Sequence, residues 1–348
     1  MNETFERKYF AASNSARGFV NYYPSVFSRE CCERLYVVKG GPGTGKSRFL
    51  REVAAFAEGR GERVIYYYCS SDPESLDGIF LEASAIGLVD GTAPHVYEPL
   101  SVGVFEQIVN LGQFWDEKEL ARHRAEVERL AREKRNAFSS AYSYLRAAGA
   151  ADQAVRTDLM ASVRLEKLAK KAERFVGTFP KDKDFREEIA LCASIGMRGR
   201  VRFDTYERLA ARVIRVDDYA SLGQLYLGEV LRVCKARGIS VRYSPDPVFP
   251  DRTCAIELLE SGTALVLAQG GEDSDVSVRR FLDEERFRGV RKWVRATEKQ
   301  KKALLALAEG SFERVREFHF ALEDIFGSAM DFSAKEAFTE NFCRRLLG

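Results

Sequence analysis

Short apolar runs alternate along the chain with segments whose apolar residues recur at helical spacing, the pattern of an α/β protein. Leu35-Tyr36-Val37-Val38 is apolar, β-branched and aromatic throughout, as expected of a strand covered on both faces. Phe49, Leu50, Val53, Ala54 and Ala57 then form the stripe of an amphipathic helix. Arg63 to Cys69 reads as the next strand, Ser70 to Gly78 as a loop and the residues after it as a short helix. Ala85 to Val89 is a further buried strand, closed by Asp90.

From about Glu117 to Phe175 the pattern is helical, with Leu120, Val127 and Leu130 and later Leu165, Leu168, Ala172 and Phe175 at coiled-coil-like steps. A break near Gly149 predicts an antiparallel helical hairpin projecting from the first domain. Such a hairpin serves either as a packing arm or as a lever that contacts a protein partner or a second copy of the chain. A second helical region carries Arg279, Arg280, Arg286, Arg288, Arg291, Lys292 and Arg295, interleaved with Phe281, Phe287 and Trp293. Asp283, Glu284 and Glu285 among them favour a solvated helix face over a nucleic-acid surface.

The chain repeats itself. Ala12-Ser13-Asn14-Ser15-Ala16-Arg17-Gly18-Phe19-Val20 recurs as Ala193-Ser194-Ile195-Gly196-Met197-Arg198-Gly199-Arg200-Val201. Leu50, Val53, Gly61, Val64 and Tyr66 meet Leu227, Val230, Gly238, Val241 and Tyr243 at one constant offset. A tandem duplication follows, divided as a first domain over 1–116, a helical hairpin over 117–180, and a second domain over 181–348 with its own C-terminal helical segment.

Between the first strand and the first helix stands Gly40-Gly41-Pro42-Gly43-Thr44-Gly45-Lys46-Ser47, a fit to GxxxxGK[ST] in the strand–loop–helix setting that the motif requires. Its glycines let successive N–H groups turn towards a phosphate at the positive end of a helix. Gly41, Pro42, Gly43, Thr44, Gly45, Lys46, Ser47 and Arg48 are the expected ATP contacts, with Lys46 on the β- and γ-phosphates and Ser47 on Mg²⁺. Asp90, at the end of an apolar strand, is the second candidate for the Mg²⁺ shell, and Asp90-Gly91-Thr92 also reads as a turn. Gly91 stands where many fast ATPases place a glutamate, so hydrolysis is expected to be slow. Asp72, Asp77 and His95 are candidates to act on the γ-phosphate, each with a plainer reading as a loop residue. In the second repeat Gly40, Lys46 and Ser47 fall on Asp217, Gly223 and Gln224, so the phosphate lysine and the Mg²⁺ hydroxyl are missing there.

Composition narrows the setting. With 348 residues, 45% hydrophobic and 30% charged, the chain can bury two cores, and it has no apolar run near the about 18 residues of a membrane span. A net charge of +2 argues against a nucleic-acid binder. The N-terminus lacks the apolar core of a signal peptide, and seven cysteines without a CxxC pair read as reduced thiols, so a cytoplasmic protein is expected.

The combination of YVVKGGPGTGKS, CSSDPESLDG, VDGTAPH and the later AMDF resembles a family of bacterial tandem P-loop ATPases, and the resemblance covers most of the chain. It implies a duplicated three-layer P-loop NTPase fold with a parallel sheet and inserted helical hairpins, ATP binding and hydrolysis. The second copy departs from the family in lacking its P-loop. Two rival uses of ATP remain: transfer of the γ-phosphate to a small molecule, and sensing of ATP without turnover.

Overall fold

A computed structural model of the chain describes residues 6–92, 97–270 and 273–348. The first half opens with β1 (Arg7–Phe10), a hairpin of β2 (Ala12–Ser15) and β3 (Gly18–Asn21), and the single turn α1 (Tyr23–Val26). There follow β4 (Arg34–Lys39), α2 (Lys46–Glu58), β5 (Val64–Tyr68), β6 (Leu76–Leu81), β7 (Ile86–Asp90) and β8 (Glu106–Asn110). The main sheet runs β1-β5-β6-β7-β4-β8. Leu35 to Val38 and all of β5 are buried, which is why they read as unbroken apolar runs.

The expected purely parallel sheet is instead mixed. β1 pairs parallel with β5, and β4 with β7 and β8, but β6 runs antiparallel to both its neighbours. Chain length is the cause. Leu76–Leu81, expected as the end of a loop and a short helix, is a strand, and only Glu82 to Ala85 join it to β7. A parallel return needs a crossover of about a dozen residues.

Helices α3 (Glu117–Arg122), α4 (Arg124–Met160) and α5 (Leu165–Val176) lead to the second half. This contains β9 (Glu187–Ile189), a hairpin of β10 (Ala193–Gly196) and β11 (Gly199–Arg202), and the short α6 (Thr205–Leu209). It continues with β12 (Arg212–Val216), α7 (Leu222–Arg237), β13 (Val241–Pro245), β14 (Thr253–Leu258) and β15 (Thr263–Leu267). Two helices finish the chain, α8 (Glu284–Ser328) and α9 (Phe332–Leu347). The second sheet runs β12-β15-β14-β13-β9, the order and strand senses of β4-β7-β6-β5-β1.

The hairpin expected within 117–180 is corrected. Helix α4 runs 37 residues straight through Gly149 and pairs with α8 of the second half. Trp115 bridges Met330 at one end and Val163 bridges Leu282 at the other, with Lys134–His319 and Asp152–Lys301 contacts between, so the two helices are antiparallel. Their seam is Ala137, Ala141, Leu145 and Ala148 against Leu305, Ala308, Phe312 and Val315. Gly149 is needed for a close approach, since a Cβ there would lie 2.8 Å from that of Ala16.

The expected domain limits are corrected too. Helix α5 packs Leu168, Ala172 and Val176 into the core around α7 of the second half, while α9 returns to the first half, setting Phe342 against Tyr36 and Phe49 at ring distances of 5.1 and 5.2 Å. Each sheet is therefore covered by a helix that ends the other half of the chain. At the start of α8 the expected solvated face is present: Arg286, Arg288, Arg291, Lys292 and Arg295 are exposed, while Phe287 and Val294 are buried. No helix among the described residues is long and apolar enough to cross a membrane.

Between α4 and the second sheet lies a buried charge cluster. Asp152 pairs with Arg252 and accepts from Lys301 Nζ at 3.0 Å, and Arg252 also donates to Gln224 Oε1 at 3.0 Å. Removing the carboxylate leaves two buried cations without their shared partner, at a cost of about 3–5 kcal/mol. Asp152→Ala should accordingly lower the unfolding free energy by that amount, read from the denaturant midpoint.

Candidate functional site

The Gly40–Ser47 loop connects buried β4 to α2, whose Phe49, Leu50, Val53, Ala54 and Ala57 fix the helix on the sheet. Gly43 and Gly45 have φ of +71° and +75°, the left-handed region that glycine enters without penalty. Thr44 Oγ1 donates to Gly41 O at 2.9 Å. Lys46 Nζ folds back across the loop to the carbonyls of Gly40 and Gly41, both at 2.8 Å. Among the described residues no acceptor takes the backbone N–H groups of Gly43, Thr44, Gly45, Lys46 or Ser47.

The expected metal residues stand beside this loop. Ser47 Oγ accepts the Leu76 N–H at 2.9 Å, which orients the hydroxyl. Asp90 takes the turn role and also faces Lys46. Its Oδ1 accepts the Thr92 N–H at 2.8 Å as a turn residue does, while Oδ2 lies 3.6 Å from Lys46 Nζ. Thr92 Oγ1 in turn donates to Gly40 O at 2.9 Å, tying the strand end to the loop. Arg48 is directed elsewhere, to Glu52 and Glu336 at 2.8 and 2.7 Å on the α2–α9 surface.

The γ-phosphate candidates separate. Asp72 is buried and engaged by Arg198 Nε at 3.1 Å, Ser75 Oγ at 3.0 Å and the Glu74 N–H at 3.4 Å. Asp77 lies inside β6 rather than in a loop, buried and close enough to the Tyr23 hydroxyl and the Cys69 thiol to act on both. Burial first, and then that carboxylate, push both groups well above their ordinary pKa. His95 lies outside the described residues.

Four residues near the loop escaped the sequence reading. Arg198 reaches Asp72 and Glu74 from the β10–β11 turn of the second half. Arg17, at the matching turn of the first half, reaches across to Asp251 at 3.7 Å, so the repeated Arg-Gly was the available signal. The other three sit on the long helices: Lys134 Nζ lies 2.8 Å from His319 Nδ1, and His319 Nε2 lies 3.4 Å from Glu323 Oε1. Burial, the largest effect, pushes the Glu323 carboxyl up, but the His319 hydrogen bond and the neighbouring His319 and Lys46 charges together outweigh it, and the net shift is downward. The α8 backbone also touches the loop. A Cβ on Gly43 would fall onto Glu323 O and lie 2.9 Å from Gly327 N.

In the second half the matching loop is closed by its own side chain. Ala220 and Ser221 hold left-handed φ of +51° and +62°. Asp218 Oδ1 accepts the N–H groups of Gly223 at 2.9 Å and Gln224 at 3.3 Å, the positions that match Lys46 and Ser47. Burial pushes the Asp218 carboxyl upward.

The Gly43 contact can be separated from backbone strain. Gly103 has a similar φ of +83° with nothing near its absent Cβ. Gly103→Ala should therefore cost only the left-handed penalty of about 1–2 kcal/mol. Gly43→Ala should cost at least about 1 kcal/mol more, because α8 must shift, with both read by chemical denaturation.

Comparison with protein-family models, with curated proteins and with solved structures finds no match for this chain.

Proposed function

We propose that the first half binds ATP with Mg²⁺ on the Gly40–Ser47 loop and hydrolyses it slowly, as an ATPase or ATP-operated switch, and that the two halves are a tandem duplication with one nucleotide site. One contrast carries the reading. Among the described residues the N–H groups of Gly43 to Ser47 lack an acceptor beside the Lys46 side chain, whereas the matching N–H groups at Gly223 and Gln224 are taken by Asp218. A row of backbone donors at a helix N-terminus is an anion site, and here one copy is open and the other is filled by a carboxylate.

The donor set fits the metal nucleotide. Mg²⁺ takes oxygen ligands, keeps several waters and relies on substrate phosphates, so Ser47 Oγ and the Asp90 carboxylate suffice from the protein. Accordingly, no cluster of three His, Cys, Asp or Glu is needed, and none occurs among the described residues. When bound, the ion would offset charge on the β- and γ-phosphates. The chain's own parts are then distinct: the loop N–H groups and Lys46 hold the phosphates, and Leu76 N–H sets the Ser47 hydroxyl. With its carboxylate shared among Arg198, Ser75 and Glu74 N–H, Asp72 serves as the anchor of the Arg198 hairpin rather than as a base. Gly91 after Asp90 supports slow turnover. The shared strand order of the two sheets and the paired Arg17 and Arg198 turns support the duplication and the kinship with tandem P-loop ATPases.

Lys46→Ala removes charge-assisted contacts worth about 1.5–3 kcal/mol, which is about 10- to 100-fold in nucleotide affinity. Titration with Mg²⁺–ADP should show that weakening, and phosphate release should fall to background. Unchanged affinity would remove the assignment of the site, and equal phosphate release from both proteins would remove hydrolysis.

A further inference from the structure

The two halves place a lysine at the same point of their long helices, and they treat it differently. Lys301 of α8 is neutralised: its Nζ lies 3.0 Å from Asp152 Oδ1 and 2.6 Å from Glu298 Oε1. Lys134 of α4 has no carboxylate within ion-pair distance among the described residues, and the place of Asp152 is taken by His319. An ammonium has only donors, so in this contact His319 Nδ1 is the acceptor from Lys134, and its Nε2 is turned to Glu323. The lysine therefore keeps its positive charge uncompensated by its nearest neighbour.

Each half thus presents two places that call for an anion: the N–H groups at the helix N-terminus and the lysine of the long helix. In the second half protein carboxylates fill both, Asp218 the first and Asp152 the second. In the first half neither is filled. α8 carries His319 and Glu323 onto the loop itself, since its backbone at Glu323 and Gly327 packs on Gly43. Burial lowers the Lys134 pKa, Glu323 and Cys69 oppose this, and Lys46 is close enough to lower it further. Two ammonium groups that repel one another are both relieved by one bound anion.

We propose that Lys134 contacts the γ-phosphate, so that the α4–α8 helix pair distinguishes a triphosphate from a diphosphate. This rests on the assignment of the P-loop as the ATP site. The β-phosphate falls to the loop N–H groups and Lys46, as Asp218 falls to their counterparts. The γ-phosphate falls to Lys134, as Asp152 falls to Lys301. Nucleotide state is then read by a helix that spans both halves, without any second nucleotide.

The test is the affinity ratio of a non-hydrolysable ATP analogue to ADP, each with Mg²⁺, measured by titration calorimetry. Wild type should favour the triphosphate about tenfold or more, the factor expected of one charge-assisted contact. Lys134→Met should bring the ratio near one while ADP affinity stays within about twofold. His319→Asp should do the same with the lysine intact, because it copies the Asp152–Lys301 pair into the first half. Lys301→Met, outside the site, should leave the ratio unchanged. An unchanged ratio in Lys134→Met and His319→Asp overturns the proposal, as does equal loss of both nucleotides from a folded Lys134→Met. If Lys134→Met does not fold, His319→Asp alone decides by the same ratio. Wild type that binds neither nucleotide overturns the P-loop assignment itself, an outcome distinct from loss of the ratio alone.

Discussion

The antiparallel pairing of α4 with α8 is the constraint on which the other arrangements depend. Its two ends are clipped in the same way. Asp116 N donates to Ala329 O at 2.8 Å and Asp331 N to Phe114 O at 2.9 Å; at the far end Asp283 N donates to Ser162 O at 2.8 Å and Arg164 N to Phe281 O at 2.7 Å. With both ends fixed and an alanine-rich seam between, the helices approach closely and their register is set. That register brings His319 opposite Lys134 and Asp152 opposite Lys301. It also presses the α8 backbone onto Gly43, so the Gly40–Ser47 loop is walled by a helix that belongs to the other half of the chain.

The exchange of the terminal helices follows from the same pairing. A chain that leaves the first sheet along α4 arrives at the second, where α5 finds α7. The chain that leaves the second sheet along α8 arrives back at the first, where α9 finds α2. Lys335, fully buried on α9, reaches Glu52 of α2 at 3.0 Å, and Phe338 and Phe342 pack against Phe49. Neither sheet can bury its helix layer from its own half alone. The halves therefore cannot be separated at the boundaries that the repeat suggests, and the hydrogen bonds between Phe10 and Leu191 join them again at the sheet edges.

What could be read from the residues was what depends on local spacing. The strand before the phosphate loop, the helix after it, the Tyr-rich strand and the strand ending at Asp90 are set by apolar runs and by one helical stripe, and all of them are present. Leu76–Leu81 was hidden by Asp77-Gly78, a pair with strong turn chemistry that here lies inside a strand against Phe27. Gly149 misled for a related reason: a glycine in a helix signals an end or a close contact, and only the tertiary structure shows the Ala16 contact that decides it. An amphipathic stripe says that α5 and α9 pack, not against what. Lys134 and His319 sit on helices dense in charged residues, and their significance comes from the partner helix. Carrying the repeat search into the long helices would have aligned Lys134 with Lys301, but the Asp152 to His319 exchange acquires meaning only with the pairing known.

The electrostatic asymmetry of the halves also assigns them different mechanical roles. In the second half the Gly223 and Gln224 N–H groups and the Lys301 ammonium already have carboxylate partners, and Gln224 links the sites by donating to Asp246 at 2.7 Å while accepting from Arg252. Such a closed network holds its geometry without a ligand. Among the described residues the first half keeps its loop donors without an acceptor and its helix lysine without a carboxylate, a local cost of the kind found at binding sites. Ligand binding to the folded state repays that cost by mass action, so stabilisation should be concentrated in the first half. On the proposed ATP reading, the second half, held by its own carboxylates, is the body against which the α4–α8 pair registers the nucleotide state of the first.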